Sequence, residues 1–373
     1  MRFISNLKKS VLTEFRSLDR GILYSAFLLM TFGLFLTFAA GPVVAARRQY
    51  EWYHYIARHI VFVPVAVAVL VGTALLPVKW ARRVGFLFFV GAVGGMMAVL
   101  LFGARVQGAT RWINVFGVSL QPSEFAKPSL AIVLGWLLAR GKLIRKSRGT
   151  LLAFLAYALV AGLLYLQPDI GMLLTVTAIF LAELFLSGLP WKIILPLGGM
   201  AASFIPVAYF LLPHVRHRIE VFLNPTTENA YQVRQSMETL QTAGWFGKGP
   251  GEGVVKYTLP DAHTDFIMAV SAEEFGFLLS SVIVLTFMYI VFEGTKLIRQ
   301  SNNYFVQLAA GGLITQIAAQ AIVNLSSTLN LIPTKGMTLP LISYGGSSLV
   351  SMAFAFGLIL ALTKRQTFSR GLE

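Results

Sequence analysis

Cysteine is absent from the 373 residues, which excludes thiol nucleophiles, disulfide staples and thiolate metal sites. Charge is scarce too: 13% of the residues are Asp, Glu, Lys or Arg, against 56% that are hydrophobic. That balance excludes an ordinary soluble protein and places the chain among polytopic membrane proteins. Neither a Walker-type loop nor a dinucleotide fingerprint occurs, so cytosolic nucleotide energy is not indicated. There is also no low-complexity tract and no convincing internal repeat.

Long apolar runs fill the space these absences leave. A spanning helix needs about 20 apolar residues, and ten stretches qualify: 21–41, 60–77, 84–103, 122–139, 150–166, 170–187, 193–212, 267–292, 305–325 and 344–362. Only helices or closed barrels satisfy the backbone in lipid. The expected fold is therefore all-α, a single bundle over 1–373 with about ten transmembrane helices. It has a basic tail at 1–20, one large external loop at 213–265 and a second tail at 363–373. The run at 21–41 follows a basic segment, as in a signal peptide, but it is too long for a cleaved segment and more spans follow.

The net charge of +15 is unevenly placed. With the N-terminus inside and the spans alternating, Arg2, Lys8, Lys9, Arg16 and Arg20 fall on the inner side. So do Lys79, Arg82, Arg83 and the run Arg140, Lys142, Arg145, Lys146 and Arg148, then Lys192, Lys296, Arg299, Lys364, Arg365 and Arg370. Positive charge held in short cytoplasmic loops sets orientation. Both termini are expected in the cytoplasm, and the basic excess needs no nucleic acid.

Chemistry is carried by polar breaks on the other face. Leu259 to Phe266 ends the long loop and places a carboxylate at the lip of a span, where an acid marks a functional site. Pro260-Asp261 reads as a helix start, with Asp261 capping the next amides and Asp265 one turn in. Asp265 is then a catalytic base or a partner for the helix dipole. His263 and Thr264 either orient it or fill the first turn. Glu273 and Glu274 stand roughly 12–14 Å further along a helix, too far to make a carboxylate pair with Asp265. A second group combines Arg105, Arg111, Ser123, Glu124 and Lys127, where Lys127 faces either Glu124 or a ligand phosphate. Asp169, in Gln167-Pro168-Asp169, is a helix cap or a site residue. Lys335, with the amides of Gly345-Gly346, is suited to a diphosphate. By alternation Arg111, Lys127, Asp169, Asp265 and Lys335 share the outer face. Cations and carboxylates at the outer leaflet suit a substrate with a lipid tail, a phosphate neck and a polar head.

At these residues the chain closely resembles the SEDS family (shape, elongation, division and sporulation), the peptidoglycan glycosyltransferases. The resemblance rests on Gly108-Ala109-Thr110-Arg111-Trp112-Ile113, Gln121-Pro122-Ser123-Glu124, Gln167-Pro168-Asp169-Ile170-Gly171, His263-Thr264-Asp265-Phe266 and Thr334 to Ser348. Thr110 departs from the pattern, since many members carry a second Arg there, which leaves Arg111 as the cation carried over. The lysine motif and Gly247 to Gly253 resemble division-type members of alphaproteobacterial kind, with the elongation type as runner-up.

The resemblance implies polymerisation of lipid II on the periplasmic side of the inner membrane, at the division septum. Asp265 is implied as base, with Arg111, Lys127 and Lys335 at the leaving undecaprenyl diphosphate and a divalent cation (Mg or Mn) able to join. Asp169, Glu124, His263 and Thr264 are implied around the substrate. The partner implied is a class B penicillin-binding protein, an FtsI-like transpeptidase, with other membrane proteins of the division machinery. A lipid II flippase and a non-catalytic scaffold are the rival readings.

Overall fold

The structure, a computed structural model, describes residues 14–106, 109–115, 118–144, 146–211, 213–224, 231–259 and 261–364. Gly108 and Pro260 of the motifs above, and 225–230 of the long loop, lie outside the described residues.

Ten long helices correspond in order to the ten apolar stretches. They are α1 (Arg20–Arg47), α2 (His54–Ala74), α3 (Val78–Phe102), α4 (Pro122–Ile144), α5 (Lys146–Leu166), α6 (Ile170–Leu186) and α7 (Trp191–Leu211). After two short helices, α8 (Pro213–Leu223) and α9 (Tyr231–Thr242), come α10 (Ile267–Gln300), α11 (Tyr304–Thr328) and α12 (Gly346–Thr363). Among the described residues seven are both long and apolar enough to cross a membrane by themselves. Of the others, α6 is shorter, at 17 residues, and α4 carries Glu124, Lys127 and Arg140 along its length.

Most of these helices are apolar all round, as expected where the solvent is lipid. Leu87, Leu101, Phe210 and Phe292 stay exposed, so the bundle presents an apolar belt outward. Its centre is α12, from which every residue between Ser347 and Leu362 is buried except Val350. Small residues bring its neighbours close: a Cβ on Gly357 would fall 2.7 Å from Leu70 O of α2, and one on Gly135 of α4 would fall 2.7 Å from Ala309 N of α11. Close backbone approach of this kind is how helices associate in lipid.

The interval after α3 is not a plain loop. It folds into an antiparallel meander, β1 (Ala104–Val106), β2 (Ala109–Val115) and β3 (Val118–Leu120), with Arg105 opposite Thr110 and Asn114 opposite Ser119. Short strands satisfy each other's backbone groups at the bundle end, where no helix continues. The all-α expectation thus gains a small sheet.

Candidate functional site

The turns at the ends of α1, α3, α5 and α11 and the starts of α4, α6, α10 and α12 converge at one end of the bundle. They enclose a cavity of about 1490 Å³, roofed by α8 and walled by β2. Arg111, Glu124, Asp169, His263, Thr264, Asp265 and Lys335 all line it. Lys127 does not.

Asp265 sits outside the helix. The structure corrects the expected start at Pro260-Asp261: residues 261–266 are turns, Asp261 takes φ +52°, and α10 begins at Ile267. The amides of Thr264 and Asp265 bond the Asp261 carbonyl at 3.0 and 3.1 Å, rather than its carboxylate. That carboxylate instead meets Arg48 at 2.9 Å. Freed from a helical turn, Asp265 opens onto the cavity floor while protein surrounds the rest of it. Burial first, and the Asp261 charge second, push its pKa up to about 7, partly offset by Arg218 and a hydrogen bond from Thr264.

The lysine motif closes on this acid from a distant part of the chain. Gly336 adopts φ +59°, and a Cβ there would lie 3.3 Å from Asp265 Oδ2, so glycine allows the backbone to pass the carboxylate. Asn324 of α11 donates to Asp265 O at 2.9 Å and Met337 O at 2.6 Å, while Ser343 donates to Thr264 O at 2.5 Å. Tyr344 N donates to His263 O at 2.9 Å. Three bridges thus lock the loop before α12 onto the 263–265 turn. Lys335 forms no ion pair among the described residues, and burial, then Arg218, lower its pKa to about 8.

Arg218 was not among the residues singled out from sequence. It lies on α8, donates to Thr334 O at 3.3 Å, and its field reaches Asp265, Asp169 and Arg111. The only sequence signal is the Arg216-His217-Arg218 cluster inside the long loop. Arg48 and Arg58 also line the cavity and were likewise missed. Arg58 hydrogen-bonds Tyr344, whose hydroxyl pKa is raised chiefly by burial.

The remaining candidates hold structure as well as line space. Asp169 caps α6 by accepting from Met172 N at 3.4 Å and meets Arg111 Nε at 3.5 Å. Arg111 also donates to the carbonyls of Gln167 and Pro168, clasping that turn. His263 is buried between Tyr55 and Tyr344, with ring centroids 4.5 and 5.2 Å away, and burial drives its pKa down to about 3. It is a neutral packing ring rather than a cation. Lys127 is fully buried behind the wall, paired with Glu124 at 2.8 Å and bonded to Gln320 at 2.8 Å. Of the two partners open to Lys127, Glu124 is the one beside it here, and Lys127 is not among the residues that line the cavity.

Glu273 and Glu274 stand away from the cavity. Glu273 pairs with Lys248 at 3.0 Å and accepts from Val254 N and Lys256 N, while Glu274 pairs with Lys256. They clip the glycine-rich loop to α10. Among the described residues no group of three His, Cys, Asp or Glu is placed to hold a metal. The donor set therefore fits a divalent cation only where Asp265 or Asp169 shares it with a ligand's own oxygens.

The family model for FtsW/RodA/SpoVE cell cycle proteins matches residues 19–367. A protein of Caulobacter vibrioides named "Probable peptidoglycan glycosyltransferase FtsW" is 38% identical, covering 95% of this chain and 91% of its own. One of the same name from Trichlorobacter lovleyi is 34% identical, covering 92% and 93%. A solved chain from "Structural coordination of polymerization and crosslinking by a peptidoglycan synthase complex" superposes with TM-score 0.77 at 26% identity, covering 93% and 97%. The rod shape determining protein RodA of Thermus thermophilus shares the fold at TM-score 0.69 and 24% identity, covering 93% and 96%.

Proposed function

The chain belongs to the FtsW/RodA/SpoVE family of cell cycle proteins, and from that premise we propose that it is a peptidoglycan glycosyltransferase of the division type. Its substrate is lipid II, polymerised into glycan strands at the periplasmic face of the inner membrane. The observation that carries this reading is Asp265, a carboxyl with pKa raised to about 7, facing a cavity that also presents Arg111, Arg218 and Lys335.

Joining two lipid-linked sugars with inversion is a single displacement. The 4-hydroxyl of the acceptor sugar attacks the anomeric carbon of the growing chain, and the bond to the lipid diphosphate breaks. A base must take the hydroxyl proton as the new bond forms, and a group titrating near neutrality combines availability with proton affinity. Asp265 is that base. Negative charge builds on the departing diphosphate, where preorganised cations are most effective. Lys335 lines the same cavity as Asp265 and forms no ion pair among the described residues, and Arg218 and Arg111 border the same space. Asp169 positions Arg111, Glu124 neutralises Lys127 beneath the wall, and Thr264 tunes Asp265.

The relative that superposes at TM-score 0.77 is described as a synthase complex joining polymerisation with crosslinking. It supports a crosslinking partner here, a class B penicillin-binding protein of FtsI type. The test is polymerisation of purified lipid II by the protein with and without that partner. Glycan strands from wild type and none from Asp265→Asn are expected, with folding and partner binding intact. Strands from Asp265→Asn would reject the base, and lipid translocation without polymer would favour a transporter.

A further inference from the structure

Deep in the bundle, away from the cavity, α6 and α11 meet around one carboxyl group. Glu183 is fully buried, and neither of its oxygens has a hydrogen-bond partner among the described residues. Asp169 at the head of α6 lines the cavity, so Glu183 lies roughly 20 Å down the helix at about 1.5 Å per residue. Its carboxyl rests on Gly312 of α11: a Cβ there would fall 2.0 Å from Oε1 and 3.1 Å from Ala131 Cβ. Any side chain at 312 would displace the acid.

From that glycine a polar seam runs toward the cavity. Gln316, Gln320, Asn324 and Thr328 follow at intervals of four, on one face of α11, and all are buried. The amide of Gln316 has no protein partner at either atom among the described residues. Gln320 accepts from Lys127 at 2.8 Å, Lys127 pairs with Glu124, and Glu124 borders the cavity. Asn324 reaches Asp265 O. Polar side chains inside a membrane span are costly and are kept for ion or proton handling.

We propose that Glu183 is a membrane-embedded proton-binding site, reached from the cavity along the α11 polar seam. An ionised carboxylate without a counter-ion is strongly disfavoured in such an interior and takes a proton instead. Among the described residues no cation is at hand to replace it. The helices packed on α6 are α4, α5, α7 and α11. On α4, Lys127 is held by Glu124 and Gln320. Arg140 of α4, Arg148 of α5 and Lys192 of α7 are exposed at the helix ends. Tyr157 of α5 bonds Thr177, Tyr165 is exposed, and Tyr304 of α11 donates to Ser187 O. In each exchange one Oε–H bond forms from hydronium, or breaks to return it, and nothing else changes. The site is independent of the reaction proposed for the cavity.

Infrared spectroscopy of the full chain in lipid nanodiscs tests this. Wild type is expected to show a protonated-carboxyl band at neutral pH that is lost in Glu183→Gln and displaced in Glu183→Asp. In heavy water the band shifts as the proton exchanges, and Gln316→Leu slows that exchange several-fold. A band that Glu183→Gln and Glu183→Asp both leave unchanged would show an ionised Glu183 and overturn the proposal. Exchange at the same rate in Gln316→Leu would overturn the route. Loss of the band on adding sodium would make this a metal-cation site instead.

Discussion

Asp265 is held between opposing influences, and its pH behaviour follows from them. Burial and Asp261 keep it protonated up to about pH 7, while burial and Arg218 let Lys335 lose its proton above about pH 8. In the proposed reaction the base acts ionised and the lysine acts charged, so kcat/KM against pH should rise through about 7 and fall through about 8. Lys335→Arg should remove the falling limb, because guanidinium stays charged. Asp265→Asn should cost at least about 100-fold and flatten the rising limb. The same acid affects stability with a defined sign. Well below its ordinary pKa of 3.8 it is neutral whether folded or unfolded; between there and about 7 only the unfolded chain ionises it, and stability is lost across that window. Asp265→Asn should therefore raise the melting temperature at about pH 8 and leave it nearly unchanged at about pH 3, read by thermal unfolding in detergent.

Elements differ in how plainly the sequence announces them. The ten long helices were legible because an apolar run of spanning length has few other folds open to it. The meander and α8 were not, since short mixed segments take their shape from what they pack on. Arg218 was missed for that reason: it acts only once α8 folds back over the cavity. The contact of Gly336 with Asp265 joins motifs far apart in sequence, which spacing alone cannot place. Sequence left Lys127 between Glu124 and a ligand phosphate because it does not say which way a first-turn lysine faces, and the structure sets it beside Glu124. The glycine-rich loop shows a local device that does carry a prediction. Lys256 and Glu274 are both buried, so Glu274→Ala strands an ammonium and should cost about 3–5 kcal/mol of stability. Earlier proteolytic nicking within 244–257 is the expected readout, with Lys256→Met in the same chain restoring part of the loss.

At the scale of the whole molecule, every turn bearing a candidate residue gathers at one end, and the basic short loops gather at the other. At that second end Lys364 pairs with Glu14 at 2.7 Å and bonds Leu75 O at 3.2 Å, tying a tail segment to the turn between α2 and α3. Positive charge resists translocation, so the orientation we propose keeps the loops carrying it in the cytoplasm and opens the cavity outward. A lipid-linked substrate assembled inside would then be consumed outside, which makes orientation the property on which the proposed reaction depends. The absence of cysteine allows a direct measurement. Asn114→Cys on β2 beside the cavity and Asn302→Cys between α10 and α11 each introduce the only thiol in the chain, at exposed positions on opposite ends. In intact cells with a permeabilised outer membrane, a membrane-impermeant maleimide should label Asn114→Cys fully and leave Asn302→Cys unreacted until the inner membrane is opened. The reverse pattern would place Asp265 in the cytoplasm, where no periplasmic glycan could be built.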